Sequence, residues 1–143
     1  MPKKNLDDAI QLAVQEHSGQ KDKNLQPYIL HPLRVMLAVS NDYEKMVAIM
    51  HDLVEDTTVS IAFLITQEYP TEVVDAIDAM SKRSEETYMQ YLVRVKANPI
   101  ARTVKISDIR DNGSPMRLYM LAPNTIEYLS KKYAKAMKYL LEE

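Results

Sequence analysis

The sequence predicts an all-α protein, a single-domain orthogonal helical bundle of about eight helices. Three observations predict it. Apolar residues recur at spacings of three and four along nearly the whole chain, and no segment sustains the alternation of two that a half-buried strand requires. Only two of 143 residues are Gly, against a usual share of about 7%, which argues against tight β-hairpins and glycine-rich phosphate loops. Capping and stopping residues punctuate the chain at short intervals, so connections are brief and successive helices pack on one another.

The first helix covers about residues 5–17, with Leu6, Ile10, Ala13, Val14 and His17 on one face and Gly19 placed as a C-terminal cap. Residues 18–30 are polar, carry Lys21, Lys23 and Pro27, and read as a loop. His31-Pro32 opens a short helix through Leu33, Met36, Leu37 and Val39, with Pro in its first turn. Asn41 or Asp42 caps the next, which carries Tyr43, Met46, Val47, Ile49, Met50, Leu53 and Val54. Ser60 caps a helix with Ile61, Leu64 and Ile65, and Tyr69-Pro70 stops it. Residues 71–81 turn Val73, Val74, Ile77 and Met80 inward, and residues 87–96 place Tyr88, Tyr91, Leu92 and Val95 on one stripe. Asn98-Pro99 ends that helix and starts another over about 100–110, with Ile100, Val104 and Ile109 inward. Residues 112–123 hold the second Gly and two Pro and read as a loop, and a last helix covers 125–141.

The 18 Lys plus Arg against 20 Asp plus Glu give a net charge of -2. There is no basic excess or basic run to attract nucleic acid or an anionic membrane, so neither partner is expected. No Cys is present, which removes disulfides, thiolate metal sites and a cysteine nucleophile together. Nothing resembles a secretory leader or a bilayer-spanning run, and a cytoplasmic protein is expected.

The chemistry concentrates in His51-Asp52-Leu53-Val54-Glu55-Asp56. On a helix His51 stands over Glu55, and Asp52 over Glu55 and Asp56, so four polar groups crowd one side of a helix end flanked by core-type residues. Burying several carboxylates without counter-charge costs several kcal/mol each. A divalent cation resolves this and makes His51 a neutral ligand. His31 and Asp108 are the candidates to complete the set. Lys105, Asp108 and Asn112 repeat the column at spacings of three and four. Two His and two Asp form a mixed nitrogen and oxygen set suited to Mn, Fe or a related first-row ion. His17 reads as a structural hydrogen-bonding group at a helix end.

These residues, in this order, resemble the HD superfamily of metal-dependent phosphohydrolases. More specifically, residues 16–20 (Glu-His-Ser-Gly-Gln), 27–33 (Pro-Tyr-Ile-Leu-His-Pro-Leu), 51–57 (His-Asp-Leu-Val-Glu-Asp-Thr) and 104–112 look like the alarmone hydrolase domain of Rel/Spo-type enzymes and small alarmone hydrolases. The resemblance covers about residues 5–112 and implies one HD-type phosphohydrolase domain over 1–143. It implies hydrolysis of the 3′-pyrophosphate of guanosine tetra- or pentaphosphate, with manganese as the metal. It makes His31, His51, Asp52 and Asp108 the metal ligands and Glu55 and Asp56 the acidic pair that orients or deprotonates water, with Glu55 favoured as base. It makes Asn112 a nucleotide contact, and Lys21, Lys23 and Lys105 are candidates for holding phosphates. In the loop after Gln20, Asp22 stands where the family commonly has Arg, and Leu25 replaces a Gly. These departures leave a second reading open, an HD phosphohydrolase acting on another nucleotide or phosphorylated metabolite. A third is a non-catalytic alarmone-binding module.

Overall fold

The computed structural model describes residues 3–142. Among them lie α1 (Leu6–Glu16), α2 (Leu30–Leu37), α3 (Asp42–Met50), α4 (Leu53–Asp56), α5 (Ile61–Thr66), α6 (Thr71–Ala79), α7 (Tyr88–Ala97), α8 (Pro99–Asn112), α9 (Pro115–Leu118) and α10 (Pro123–Leu141). Eight are substantial helices and two, α4 and α9, are single turns. Among the described residues no strand forms, and the one extended pairing is a bridge between Lys21 and Pro27. The all-helical fold class is therefore observed.

Side-chain caps explain five of the ten helix starts among the described residues. Asn5 with Asp8, Asn41 with Glu44 and Thr87 with Gln90 form reciprocal capping boxes on α1, α3 and α7. Ser60 caps α5 through the Phe63 amide, and Asn98 caps α8 ahead of Pro99, whose missing N–H costs nothing in a first turn. Each such cap is worth about 1 kcal/mol.

The middle of the molecule is α3, which packs on α1, α2, α6 and α8, while α8 also meets α7, α9 and α10. Met46 to Met50 are buried in succession, so α3 is apolar all round its last turns, as an enclosed helix must be. Leu53, Leu64, Ile77, Leu92 and Leu140 are fully buried around it, each contributing roughly 1.5–3 kcal/mol of burial. Val14, Leu37 and Ile65 depart from the expected inward faces and are exposed. On α1 the wholly buried pair is Ala9 and Ala13, one turn apart, which lets the helix backbone approach α3 and turns Val14 outward.

The helix expected from 42 through Val54 is interrupted. His51 ends α3 and Asp52 precedes α4. His51 Nδ1 lies 2.6 Å from the Ala48 carbonyl, the acceptor that a continued helix would offer to the Asp52 N–H. The side chain thereby takes over a backbone bond at the position where the chain must turn. The helix expected to end near 110 instead runs to Asn112, and the expected loop after it contains α9.

Candidate active site

Three helix ends and the inner face of α8 meet where the acidic cluster was expected. His31 is the second residue of α2, His51 and Asp52 form the α3–α4 turn, and Asp108 lies on the inner face of α8. His31, His51 and Asp108 are 2%, 3% and 3% exposed, burial that two imidazoles and a carboxylate accept only when paired. Ligand atoms of His31, His51 and Asp52 lie within 4.8 Å of one another. Asp108 Oδ1 is 2.8 Å from His31 Nε2 and 3.1 Å from His51 Nε2, and Asp52 Oδ2 is 3.2 Å from His51 Nε2 and 3.7 Å from His31 Nε2. All four residues expected to form the cluster are therefore adjacent.

The donor set fits a divalent ion. Nδ1 of His31 is 2.6 Å from Asp111 Oδ2, and Nδ1 of His51 faces the Ala48 carbonyl. Carboxylate and carbonyl oxygens only accept, so each Nδ1 donates outward, and each Nε2, which faces Asp108 at the shared centre, is the nitrogen that a bound ion would take in place of a proton. Electrostatics favours positive charge there. Burial opposes protonation of His51, but Asp52 and Asp108 outweigh it and push its pKa up to about 9. His31 is likewise raised against the effect of burial, by its hydrogen bonds to Asp108 and Asp111. Burial would raise Asp108, yet the Lys105 ammonium at 2.9 Å and the two imidazoles hold its carboxyl well below the usual range.

The acidic pair stands at the rim. Glu55 and Asp56 are exposed at residue level, and both carboxyls are raised, chiefly by burial of the carboxyl groups themselves, with the Asp52 charge adding to it. Glu55 Oε1 accepts the Lys82 N–H at 2.6 Å, which ties α4 to the α6–α7 turn. A carboxylate with an elevated pKa, one helical turn from the His–Asp cluster, is suited to taking a proton.

Helical spacing assigns Tyr28 no part in the cluster, yet the structure gives it one. Its hydroxyl donates to Asp52 Oδ2 at 2.7 Å, and its ring packs 5.0 Å from His17 and 6.0 Å from His31. His17, read as a structural hydrogen-bonding group, has Nδ1 2.8 Å from Gln20 Oε1, while its buried Nε2 meets no hydrogen-bond partner among the described residues. Asp111, Arg34 and Arg117 were also missed. Asp111 accepts from Arg34 Nε at 2.7 Å and from Arg117 Nη1 at 3.1 Å. The signal was available in part: Asp111 follows Asp108, and Arg34 follows His31, by the three residues that place side chains on one helix face.

Beside the cluster opens a cavity of about 290 Å³, lined by residues that include Lys21, Lys23, Tyr28, Asn112, Arg117 and Tyr133. Tyr28 and Asn112 join it to the His–Asp cluster, through Asp52 and Asp108 respectively. Lys105 is not among its lining residues. Its side chain is largely enclosed, its ammonium is spent on Asp108, and it lies 5.3 Å from the Tyr91 ring centre. Asp22 also borders the cavity, but its Oδ1 accepts the Asn24 and Gln26 amides at 2.8 and 3.0 Å, so the acid closes the loop on itself. Leu25 holds φ +64°, the left-handed conformation that a glycine adopts without strain. The loop thus keeps a glycine-type turn without the glycine.

Comparison with known proteins gives first a class and then particular relatives. Over 99% of this chain and 88% of the other, the fold matches a solved structure of a metazoan ortholog of SpoT, described as hydrolyzing ppGpp and playing a role in starvation responses, with a TM-score of 0.77 and 20% identity. The chain is 30% identical over 116 residues to a guanosine-3′,5′-bis(diphosphate) 3′-pyrophosphohydrolase of Aquifex aeolicus, covering 73% of this chain and 16% of that protein. It is 32% identical over 84 residues to the protein so named in Borreliella burgdorferi, covering 56% of this chain and 12% of that one. A probable GTP pyrophosphokinase of Mycobacterium leprae is 30% identical over 132 residues, 81% of this chain and 17% of that one. No protein-family model matches the chain. Its homologues are thus (p)ppGpp 3′-pyrophosphohydrolases and Rel/Spo enzymes, as the motifs indicated, and it spans about a sixth or less of the length of these curated relatives.

Proposed function

We propose that this chain is one HD-type domain that hydrolyses the 3′-pyrophosphate of guanosine tetra- or pentaphosphate, giving GDP or GTP and pyrophosphate, with Mn²⁺ as its divalent metal. The observation that carries the reading is the convergence of His31 Nε2, His51 Nε2 and an Asp52 oxygen within 4.8 Å, each Nδ1 being already engaged. His31, His51, Asp52 and Asp108 hold the ion. A bound divalent ion lowers the pKa of water and polarises a phosphoryl oxygen.

The chain's own side chains do the rest. Glu55, steadied by the Lys82 amide, takes the proton from water, and Asp56 stands beside it to orient the molecule. Tyr28 holds Asp52 in place. Lys21, Lys23 and Arg117 supply positive charge along the cavity wall, and Asn112 offers an amide at the junction of cavity and cluster. Lys105 acts on phosphate only at a distance, through the charge it shares with Asp108. The bond between the ribose 3′ oxygen and pyrophosphate is cleaved, the hydroxyl of water joining phosphorus, its proton going to Glu55, and the departing 3′ oxygen taking a proton from solvent.

Purified protein loaded with Mn²⁺ and offered a panel of nucleotides tests this. Pyrophosphate and GDP are expected from guanosine tetraphosphate, with loss of at least about a hundredfold in Asp52→Asn. Turnover of another phosphorylated compound alone favours the reading left open by Asp22 at the cavity edge. Nucleotide binding without turnover favours the non-catalytic module.

A further inference from the structure

Asp111 links the metal cluster to the nucleotide cavity, through His31 on one side and Arg117 on the other. It lies in the last turn of α8, where the helix dipole disfavours an anion, so its charge needs compensation from elsewhere. Three donors provide it. Arg34 forks onto it with Nε to Oδ1 at 2.7 Å and Nη2 to Oδ2 at 3.1 Å. Arg117 Nη1 reaches Oδ2 at 3.1 Å, and Nδ1 of His31 reaches the same oxygen at 2.6 Å. An anchor for two arginines would not require a histidine that is 2% exposed. A carboxylate on the outer nitrogen of a ligating imidazole fixes its tautomer, orients its ring and strengthens its inner nitrogen as a donor.

We propose that Asp111 is a positioning residue for the metal centre, holding His31 so that Nε2 faces the ion, and that Arg34 fixes Asp111 in that role. The inference rests on the metal reading given under "Proposed function". It adds a carboxylate that does not itself ligate, clamped between His31 and a cavity-lining arginine.

The test is Mn²⁺ affinity of the full chain without nucleotide, read from the electron paramagnetic resonance signal of free Mn²⁺. Asp111→Ala is expected to weaken binding by about 10- to 100-fold. Asp111→Asn, of the same size, is expected to weaken it less, and His31→Gln more than either. Arg34→Gln is expected to weaken binding several-fold in the wild type and to add nothing to Asp111→Ala. If Asp111→Ala does not fold, Asp111→Asn carries the test, together with ¹⁵N shifts of the His31 ring in the Zn²⁺-loaded protein. Those shifts show Zn²⁺ on Nε2 in the wild type; a population ligated through Nδ1 in the variant supports the proposal, and ligation through Nε2 alone, as in the wild type, contradicts it. Asp111 variants that bind Mn²⁺ within threefold of wild type, while His31→Gln does not, overturn it. A wild type that binds no Mn²⁺ overturns the metal reading itself, a distinguishable result.

Discussion

At position 22 a carboxylate borders the cavity that Lys21, Lys23 and Arg117 also line, and charge alone would make it a liability to an anionic ligand there. Geometry gives it a different role, because Asp22 Oδ1 holds two amides of its own loop, and Asn24 ties that loop to the Met116 and Arg117 carbonyls. Replacing it with the Arg common in the family would add a cation but release the loop, at a cost near that of a lost cap, about 1 kcal/mol. Asp22→Arg is therefore expected to raise KM for guanosine tetraphosphate roughly fivefold, as steady-state kinetics would show, whereas a fall in KM would mean that charge outweighs loop order. The residues expected as ligands were legible only as a set, His31, His51-Asp52 and Asp108 in one order with Glu55-Asp56 one turn on, and the structure brings the four together. Their supports were not. The Ala48 carbonyl has no side-chain signature, and Tyr28 meets Asp52 across 24 positions of sequence.

Among the elements, the turn between α6 and α7 reaches the acidic pair directly, because its Lys82 amide donates to Glu55. Arg94 clasps that turn. Its Nε and Nη2 reach both oxygens of Glu86 at 2.6 and 2.7 Å, and it also donates to the Asp78 and Ser81 carbonyls. The Arg94 hydrogen bond holds the Glu86 carboxyl down at about 2, below its ordinary 4.5. A folded-state pKa below the unfolded one means stability that is full above about pH 4.5 and is lost as pH falls toward 2. Chemical denaturation of wild type and Glu86→Gln across pH is expected to show a gap at pH 7 that narrows below pH 4.5 and closes near pH 2. A gap independent of pH would remove the ionic account of the clasp. Element boundaries were legible wherever a cap announces them, as at Asn41, Thr87 and Asn98. They were misread at His51, where a side chain displaces a backbone bond, and at Asn112, where α8 runs on to carry Asp111 and Asn112 into the site.

For the whole molecule, the buried centre α3 packs against the inner face of α8, and that crossing brings His51 and Asp108 together. Periodicity carries no information on how helices far apart in sequence cross. The cavity, closed by residues from the 21–28 loop, α8, α9 and α10, was therefore visible only in three dimensions, as was the separation of Lys105 from it. Among the described residues no helix is long and apolar enough to cross a membrane. The central claim is that His31, His51, Asp52 and Asp108 form a divalent-metal centre. The most direct measurement is anomalous diffraction at the manganese edge from crystals grown with Mn²⁺. A peak ligated by His31 Nε2, His51 Nε2 and Asp52, with Asp108 beside it, is the predicted result. An absence of any peak there, with all four side chains ordered, would contradict it.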